Sequence, residues 1–539
     1  MTVRSTFGGL EISKRALFAQ QAALTTTGHN IANSNTRGYT RQVVNMVAAR
    51  PLEYPGMMRS TVPGQMGQSV EFTSIDRIRE RFLDQQFHNE SKSLGDWSVR
   101  KDTLEKLEAI INEPSDTGIR QVIEEFWNAW QELSKSPEST TARVLVKERA
   151  LALTDAFNQT SRQLSDLSND LTNNIEIKAT EINSITSQIA RLNEEIYRIE
   201  GLGNNANDLR DQRDVLMDDL SKIINITYTE EAGGYFVSMG NLQLVAGPNV
   251  ETEVTRQLLE ASAVEGGNLT SGEVYGMIQS RNRYVADYQF QLDNMLKVLV
   301  EGDVKITLPK DMVIPQGTIL NIVQPDGTTV PTPFAGNVAQ RTLNGDVEVI
   351  VKGFNGLHQL GFANKSPATA AVPFFTIKPG TTGGISAANV TVNPVILNDV
   401  SNISTSGRTY EDASGVEQIV KGNNEMALLL ADMRNKRVNF DPTSTGQSVL
   451  SDGTFDEFFR SLVAELGVQA QEANRQTINQ DILVDQIESR RQSVSGVSLD
   501  EEMANMIKYQ HAYNAAARAM TTTDEMLDRI INGMGIVGR

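Results

Sequence analysis

The sequence predicts a mainly α fold with inserted β. The expected molecule is elongated and multi-domain: a long antiparallel helical rod, a β-rich outer domain, and N- and C-terminal helices paired as a coiled coil. Three observations predict this. Apolar residues recur at heptad spacing from 157 to 199, narrower stripes of the same kind occupy both chain ends, and turn residues crowd the span 301 to 400.

The first helix is read from Leu10, Leu17, Leu24 and Ile31, at intervals of seven, with Phe7 before them. Lys14, Gln21 and Gly28 fall between, so the stripe is narrow and half polar, too little to stand alone in water. Gly28 and the Asn-rich run after it are read as its stop. "IRQVIEEFWNAWQEL" then places Ile119, Val122, Ile123, Phe126, Trp127, Trp130 and Leu133 on one broad face.

After Pro137 a seam runs through Phe157, Ser161, Leu164, Ser168, Leu171, Ile175, Lys178, Ile182, Ile185, Ile189, Leu192, Ile196 and Ile199. Ten of these thirteen are apolar, too regular for chance, and predict a helix on the order of 65 Å long. "GLGNNAND" reverses the chain into a return helix marked by Leu209, Leu216, Leu220 and Ile223. "NITYTEEAGGYFVSMGNLQLVAG" alternates around Gly233 and Gly234, a hairpin signal.

Residues 284 to 300 read as one further helix. The next hundred hold nine prolines and eleven glycines between short runs such as "DVEVIVKGF", which predicts a β-rich domain. Helical pattern returns at "NNEMALLLADM" and from about Phe455 onward. From Leu499 a 4-3 alternation gives Met503, Met506, Gln510, Tyr513, Ala517, Met520, Asp524, Leu527, Ile531 and Met534. Residues 1–50 carry six basic groups and one acid, 497–539 four and six, so the two ends are complementary in charge. The expected segments are a terminal helix at 1–40, a helical rod with a small hairpin at 41–300, a β-rich insertion at 301–405, a helical return at 406–494 and a C-terminal amphipathic helix at 495–539.

Composition narrows the function classes. The 539 residues are 39% hydrophobic and 22% charged, those of an ordinary folded chain. A net charge of -18 argues against nucleic acid, whose phosphates require a basic face. Without cysteine there is no disulfide, thiolate metal site or thiol nucleophile. No run of about eighteen apolar residues predicts a membrane span, and the N-terminus lacks a cleavable secretory signal. By composition alone the chain reads as cytoplasmic.

Enzyme patterns are missing. There is no G-x-S-x-G, no G-x-x-x-x-G-K and no H-E-x-x-H. His29, His88, His358 and His511 lie far apart without a second ligand at i+3 or i+4. "SDGTFDE" lacks the spacing of a calcium loop, and the acids of "LDEEMANM" fall in a first helical turn, where they offset the dipole. No catalytic, cofactor or metal residue is assigned.

The stretch "GHNIANSNTRGYTRQ" (28–42) is read as recognition chemistry. Asn30, Asn33 and Asn35 tolerate left-handed backbone and bond their own main chain, Gly38 allows positive φ, and Thr36 and Thr40 cap or turn. Arg37 and Arg41 flank Tyr39 and offer cationic and aromatic contacts to a neighbour.

"NIANSNTRGYTRQ" resembles the A-N-x-x-T-x-G-Y motif of the bacterial flagellar axial family of rod, hook and hook-associated proteins. "SIDRIRERFLDQQFHNE" (74–90), "GNNEMALLLADMRN" (422–435) and "SGVSLDEEMANMIKYQHAYNAAARAMTTTDEMLDRIINGMG" (495–535) resemble the hook-associated branch, at the hook-filament junction. Residues 301–400 carry little of this resemblance.

The resemblance implies export through the flagellar type III apparatus, unfolded and without a cleaved signal, to an extracellular address, which would replace the cytoplasmic reading. It implies terminal helices mobile in the monomer that assemble as an inner coiled-coil tube, with self-association into a ring or helical layer. The implied partners are hook protein below, hook-associated protein 3 above and a cytoplasmic export chaperone on the C-terminal helix, with no membrane insertion. The residues expected to carry assembly are Leu10, Leu17, Leu24, Ile31, Asn33, Thr36, Gly38, Tyr39, Arg41, Met503, Met506, Tyr513, Met520, Leu527 and Ile531. A hook or rod subunit, an exported cell-wall-remodelling enzyme and a cytoplasmic coiled-coil scaffold remain as alternatives.

Overall fold

A computed structural model describes residues 7–51, 67–111, 118–441 and 448–533. The chain divides into two compact units, unit 1 from 1–97, 175–276 and 476–539, unit 2 from 98–174 and 277–475. These limits fall at other positions than the sequence-derived segments, and the span 301–405 shares unit 2 with helices on both sides of it. Mainly α with inserted β is the fold observed, with the two terminal helices paired.

Unit 1 opens with α1 (Gly8–Ala32), followed by the antiparallel ribbon β1 (Gln42–Ala48) and β2 (Val70–Arg77). Helix α2 (Arg81–Ile111) begins there and continues into unit 2, which adds α3 (Ile119–Lys135). Helix α4 (Thr140–Glu200) is 61 residues long and contributes to both units. The heptad seam accounts for its burial: Phe157, Leu164, Leu171, Ile175, Ile182, Ile185, Ile189 and Ile196 are buried. The helix starts seventeen residues before the first seam position, because Ser139 caps it at the Ala142 N–H.

After the turn, α5 (Asn207–Ile223) returns, and β3 (Thr227–Glu231), β4 (Gly234–Met239), β5 (Leu242–Ala246) and β6 (Asn249–Val250) form an antiparallel meander. The predicted hairpin is β3–β4, with Gly234 at φ +112°. Short helices α6 (Arg256–Ser262) and α7 (Glu273–Gln279) lead to α8 (Ala286–Glu301).

In unit 2, β7 (Asp303–Leu308), β8 (Thr318–Val323), β9 (Thr329–Phe334) and β10 (Val347–Lys352) make an antiparallel sheet in the order β7-β10-β8-β9. The rest of the insertion is short ribbons and the helices α9 (Val338–Arg341), α10 (Gly353–Gln359) and α11 (Pro394–Asn398). An aromatic cluster holds it to α3: Phe126 and Trp130 meet Phe354 at ring-centroid distances of 5.3 and 5.4 Å, and Phe374 packs on both. Helix α12 (Glu425–Asp432) packs on α3 as well.

Two helices close the chain, α13 (Phe455–Ser495) and α14 (Leu499–Gly533), separated by residues 496–498. Met534 lies outside the described residues.

Candidate assembly site at the base of the terminal helices

Helices α1 and α14 pair antiparallel: Asn30 bonds Glu502 at one end, and Gly9 faces Thr523 at the other. The face of α1 that is buried differs from the expected one. Ser13, Ala19, Ala23, Thr26, Thr27 and Asn30 are buried, while Leu10, Leu17, Leu24 and Ile31 are half-buried. Gly9, which faces Thr523, and the buried Ser13, Ala23, Thr27 and Asn30 lie on a 4-3 row one residue earlier than the leucine row. A one-residue shift turns a helix by about 100°, so the leucines move to the flank of the pair. Small side chains win the seam because they let two backbones approach closely.

On α14 the burial follows Glu502, Met506, Tyr509, Tyr513, Ala516, Met520, Thr523 and Leu527. Met506, Tyr513, Met520 and Leu527 lie on the inward side of the pair. Met503 and Ile531 do not: they are 57% and 70% exposed. Sequence reading also missed Ile507, Met526 and Ile530, exposed on the outward side of α14, and Phe18 on α1. Met526 and Ile530 stand four residues apart, as do Met503 and Ile507, and that spacing was the available signal on α14.

Helix α1 does not stop at Gly28; it runs to Ala32, and Asn33 is its C-cap. The loop then folds inward. Thr36 N–H donates to the Asn33 carbonyl and Tyr39 N–H to the Thr36 carbonyl. Asn33 Nδ2 donates to the His29 carbonyl at 3.0 Å, and Thr36 Oγ1 to Asn33 Oδ1 at 3.3 Å. Gly38 has φ +75°, and a Cβ there would lie 2.0 Å from Val215 Cγ2 on α5. The asparagines are not left-handed: among the described residues the non-glycine residues with positive φ are Ser69 and Asp311.

Asn30 is the hub, and it was not among the expected site residues. It is 1% exposed. Its Nδ2 donates to the Gln42 carbonyl at 2.9 Å and to Glu502 Oε2 at 3.0 Å. Its Oδ1 accepts the Gln42 N–H at 3.0 Å and the Tyr39 hydroxyl at 2.7 Å. Both donors and both lone pairs are used, which makes the position specific for asparagine. His29 Nδ1 lies 2.9 Å from the same hydroxyl. Burial first, then Asp208, Asp211 and Glu502, push the Tyr39 pKa up, so it stays a neutral donor.

Arg41 is likewise turned to its own chain. Its Nε donates to Glu502 Oε1 at 2.8 Å, its Nη1 to Glu501 at 3.0 Å, and its backbone N–H to the Ser495 carbonyl at 2.9 Å. Arg37 pairs with Asp219. The cationic and aromatic contacts expected to meet a neighbour are thus spent within the subunit. What stays open beside the loop is a cavity of about 630 Å³ lined in part by His29, Tyr39, Leu192 and Val215.

A buried ionic cluster underlies the loop, also unforeseen. Thr40 N–H donates to Asp211, which pairs with Arg77 at 2.6 Å; Arg77 and Arg79 reach Asp214 at 2.8 and 3.2 Å. Burial would raise the Asp214 pKa, yet Arg79, Arg77 and Arg213 reverse this and hold it below the usual carboxylate range. For Asp211 burial prevails and raises it, against Arg77. Arg213, fully buried, stands 3.4 Å over the Tyr235 ring. Among the described residues no group of three or more His, Cys, Asp or Glu could hold a metal ion, and no helix is long and apolar enough to cross a membrane.

Comparison with known proteins follows this geometry. Residues 10–40, the α1 row and its loop, match the family of flagella basal body rod proteins, and residues 488–533 match the C-terminal family of flagellar basal body rod FlgEFG proteins. Residues 104–302 match the helical domain of flagellar hook-associated protein FlgK. Terminal helices of this kind around a helical body define a structural component of the bacterial flagellum. Flagellar hook-associated protein 1 of Bacillus subtilis is 32% identical over 99% of this chain and 100% of its own length. The proteins of that name from Escherichia coli and Salmonella typhimurium are 24% and 25% identical, each over 96% of this chain and 98% of their own length. The chain belongs to the flagellar hook-associated protein 1 family.

Proposed function

We propose that the chain is an exported, non-enzymatic junction subunit that polymerises as a ring or helical layer between hook and filament. Its neighbours would be hook protein on one side and hook-associated protein 3 on the other, with an export chaperone on the C-terminal helix beforehand. The observation that carries this reading is the seam between α1 and α14, whose α1 side is made of small residues. It leaves Leu10, Leu17, Leu24 and Ile31 half-buried on the flank of α1, and Met503, Ile507, Met526, Ile530 and Ile531 exposed on α14. Exposed apolar rows of that length are surfaces for association. Asn33, Thr36, Gly38, Tyr39 and Arg41 serve assembly indirectly, by setting the exit of α1, and Met506, Tyr513, Met520 and Leu527 by holding the pair.

The test separates folding from assembly. Leu17→Asp in the full chain leaves the thermal unfolding of the purified protein almost unchanged and abolishes filament attachment when the variant replaces the parent gene. Equal loss of both would place Leu17 in the subunit's own core and overturn the reading.

A further inference from the structure

Three Asn–Gly steps occur in the chain, at Asn344, Asn355 and Asn532. Such a step can modify itself, because the side-chain amide stands next to a backbone nitrogen that no neighbouring Cβ shields. The third step ends α14. The other two lie in unit 2 and are held very differently. Asn355, on α10, is 8% exposed; its Nδ2 donates to the Phe375 carbonyl and its Oδ1 accepts the Phe375 N–H, both at 2.8 Å. Its carboxamide cannot turn toward Gly356 without leaving both bonds. Asn344 is exposed, in the loop between α9 and β10. Among the described residues no hydrogen bond holds its side chain or the Gly345 N–H.

The two ends of that loop are anchored to one short segment. Leu343, 4% exposed, donates its N–H to the Met312 carbonyl at 2.8 Å and accepts the Asp311 N–H at 2.9 Å. Asp346 Oδ1 accepts the Lys310 N–H at 2.9 Å. Strand β10 starts at the next residue, with Val347 paired to Leu308 of β7. Asn344 and Gly345 are thus the free residues between two fixed ones.

We propose that Asn344 is a self-modifying site, which deamidates in the folded chain through a succinimide closed by Gly345. The Gly345 nitrogen attacks Asn344 Cγ, the bond from Cγ to the side-chain nitrogen breaks, and ammonia leaves with the proton of the Gly345 N–H. Water then opens the ring at either carbonyl and gives aspartate or isoaspartate. Isoaspartate routes the main chain through the former side chain and adds one carbon, about 1.5 Å, between Leu343 and Asp346. Both products place a new carboxylate in the loop that already holds Asp346. The Asp346 contact with the Lys310 N–H loosens, and with it the start of the β7–β10 pairing.

The purified full chain is kept at mildly alkaline pH in heavy-oxygen water, then digested in ordinary water and mapped by mass spectrometry. The heavy oxygen marks only conversions that precede digestion. In the folded chain Asn344 converts and Asn355 is at least about thirtyfold slower, the factor that two lost hydrogen bonds impose. In guanidinium chloride the two sites convert at similar rates. A Cβ at Gly345 meets nothing within 4 Å, so Gly345→Ala fits the fold, and it slows conversion by crowding the attacking nitrogen. Amide exchange of peptides spanning 308–312 and 343–347 quickens in the aged parent and not in aged Gly345→Ala. An Asn344 that stays intact in the folded chain, an Asn355 that converts as fast, or a conversion indifferent to Gly345→Ala would each overturn the site. Unchanged exchange in the converted parent would overturn the loosening.

Discussion

Gly38→Ala isolates how tightly the loop is seated on α5. Two costs can be worked from the structure. At φ +75° an L-residue costs about 1–2 kcal/mol relative to glycine. The new Cβ would lie 2.0 Å from Val215 Cγ2, far inside contact, and relieving such an overlap costs about 1–3 kcal/mol more. The total is about 2–5 kcal/mol, of which only the overlap depends on Val215. Amide hydrogen exchange of the full chain, read by mass spectrometry on peptides from α1 and α5, measures the opening free energy of this region. Gly38→Ala lowers it by the full amount in the parent and by about 1–2 kcal/mol in Val215→Ala, the interaction being the difference in a double-mutant cycle. A substitution that is neutral, or that costs as much with Val215 shortened as without, would refute the seating of the loop on α5.

Other outcomes follow from single groups. In unit 2, His358 bonds the Val372 carbonyl through Nδ1 and accepts the Ser404 N–H at Nε2, and burial pushes its pKa down to about 4 from an ordinary 6.5. Below 6.5 the unfolded chain takes a proton that the folded chain refuses. Stability therefore falls as pH drops from 6.5 toward 4, by about 3 kcal/mol in all, and urea titrations of His358→Gln lose that slope. Arg213→Ala leaves Glu230 and Asn193 short of a buried partner and costs about 3–5 kcal/mol by urea unfolding; a cost under about 1 kcal/mol would contradict the ionic core. Ala23→Leu overpacks the α1–α14 seam, costs about 1–3 kcal/mol and raises hydrogen exchange along both helices, whereas Leu17→Asp does not.

The α4 seam was legible because its apolar residues have no other place to go: from Phe157 to Ile196 the period and the burial coincide. The terminal pair was legible as a pair but not in register. Hydropathy draws the eye to Leu10, Leu17, Leu24 and Ile31, while the buried side is made by Gly9, Ser13, Ala23 and Thr27, small residues that weigh far less in hydropathy than leucine. On α14 the expected and the buried rows share Met506, Tyr513, Met520 and Leu527 and differ by one residue at the positions between. Gly28 looked like a helix stop, but nothing breaks the helix there, and the Asn33 N–H still bonds the His29 carbonyl. The ionic cluster was invisible for a different reason. Asp211, Arg213 and Asp214 on α5 lie far in sequence from Arg77 and Arg79, and only the fold brings these across to them.

Electron microscopy of flagella from a strain lacking the gene tests the account most directly. The account predicts hooks of normal form that bear no filament, with filaments restored by the parent gene and not by Leu17→Asp. Filaments seated normally on the hooks of the deletion strain, or loss of the hook itself, would contradict it.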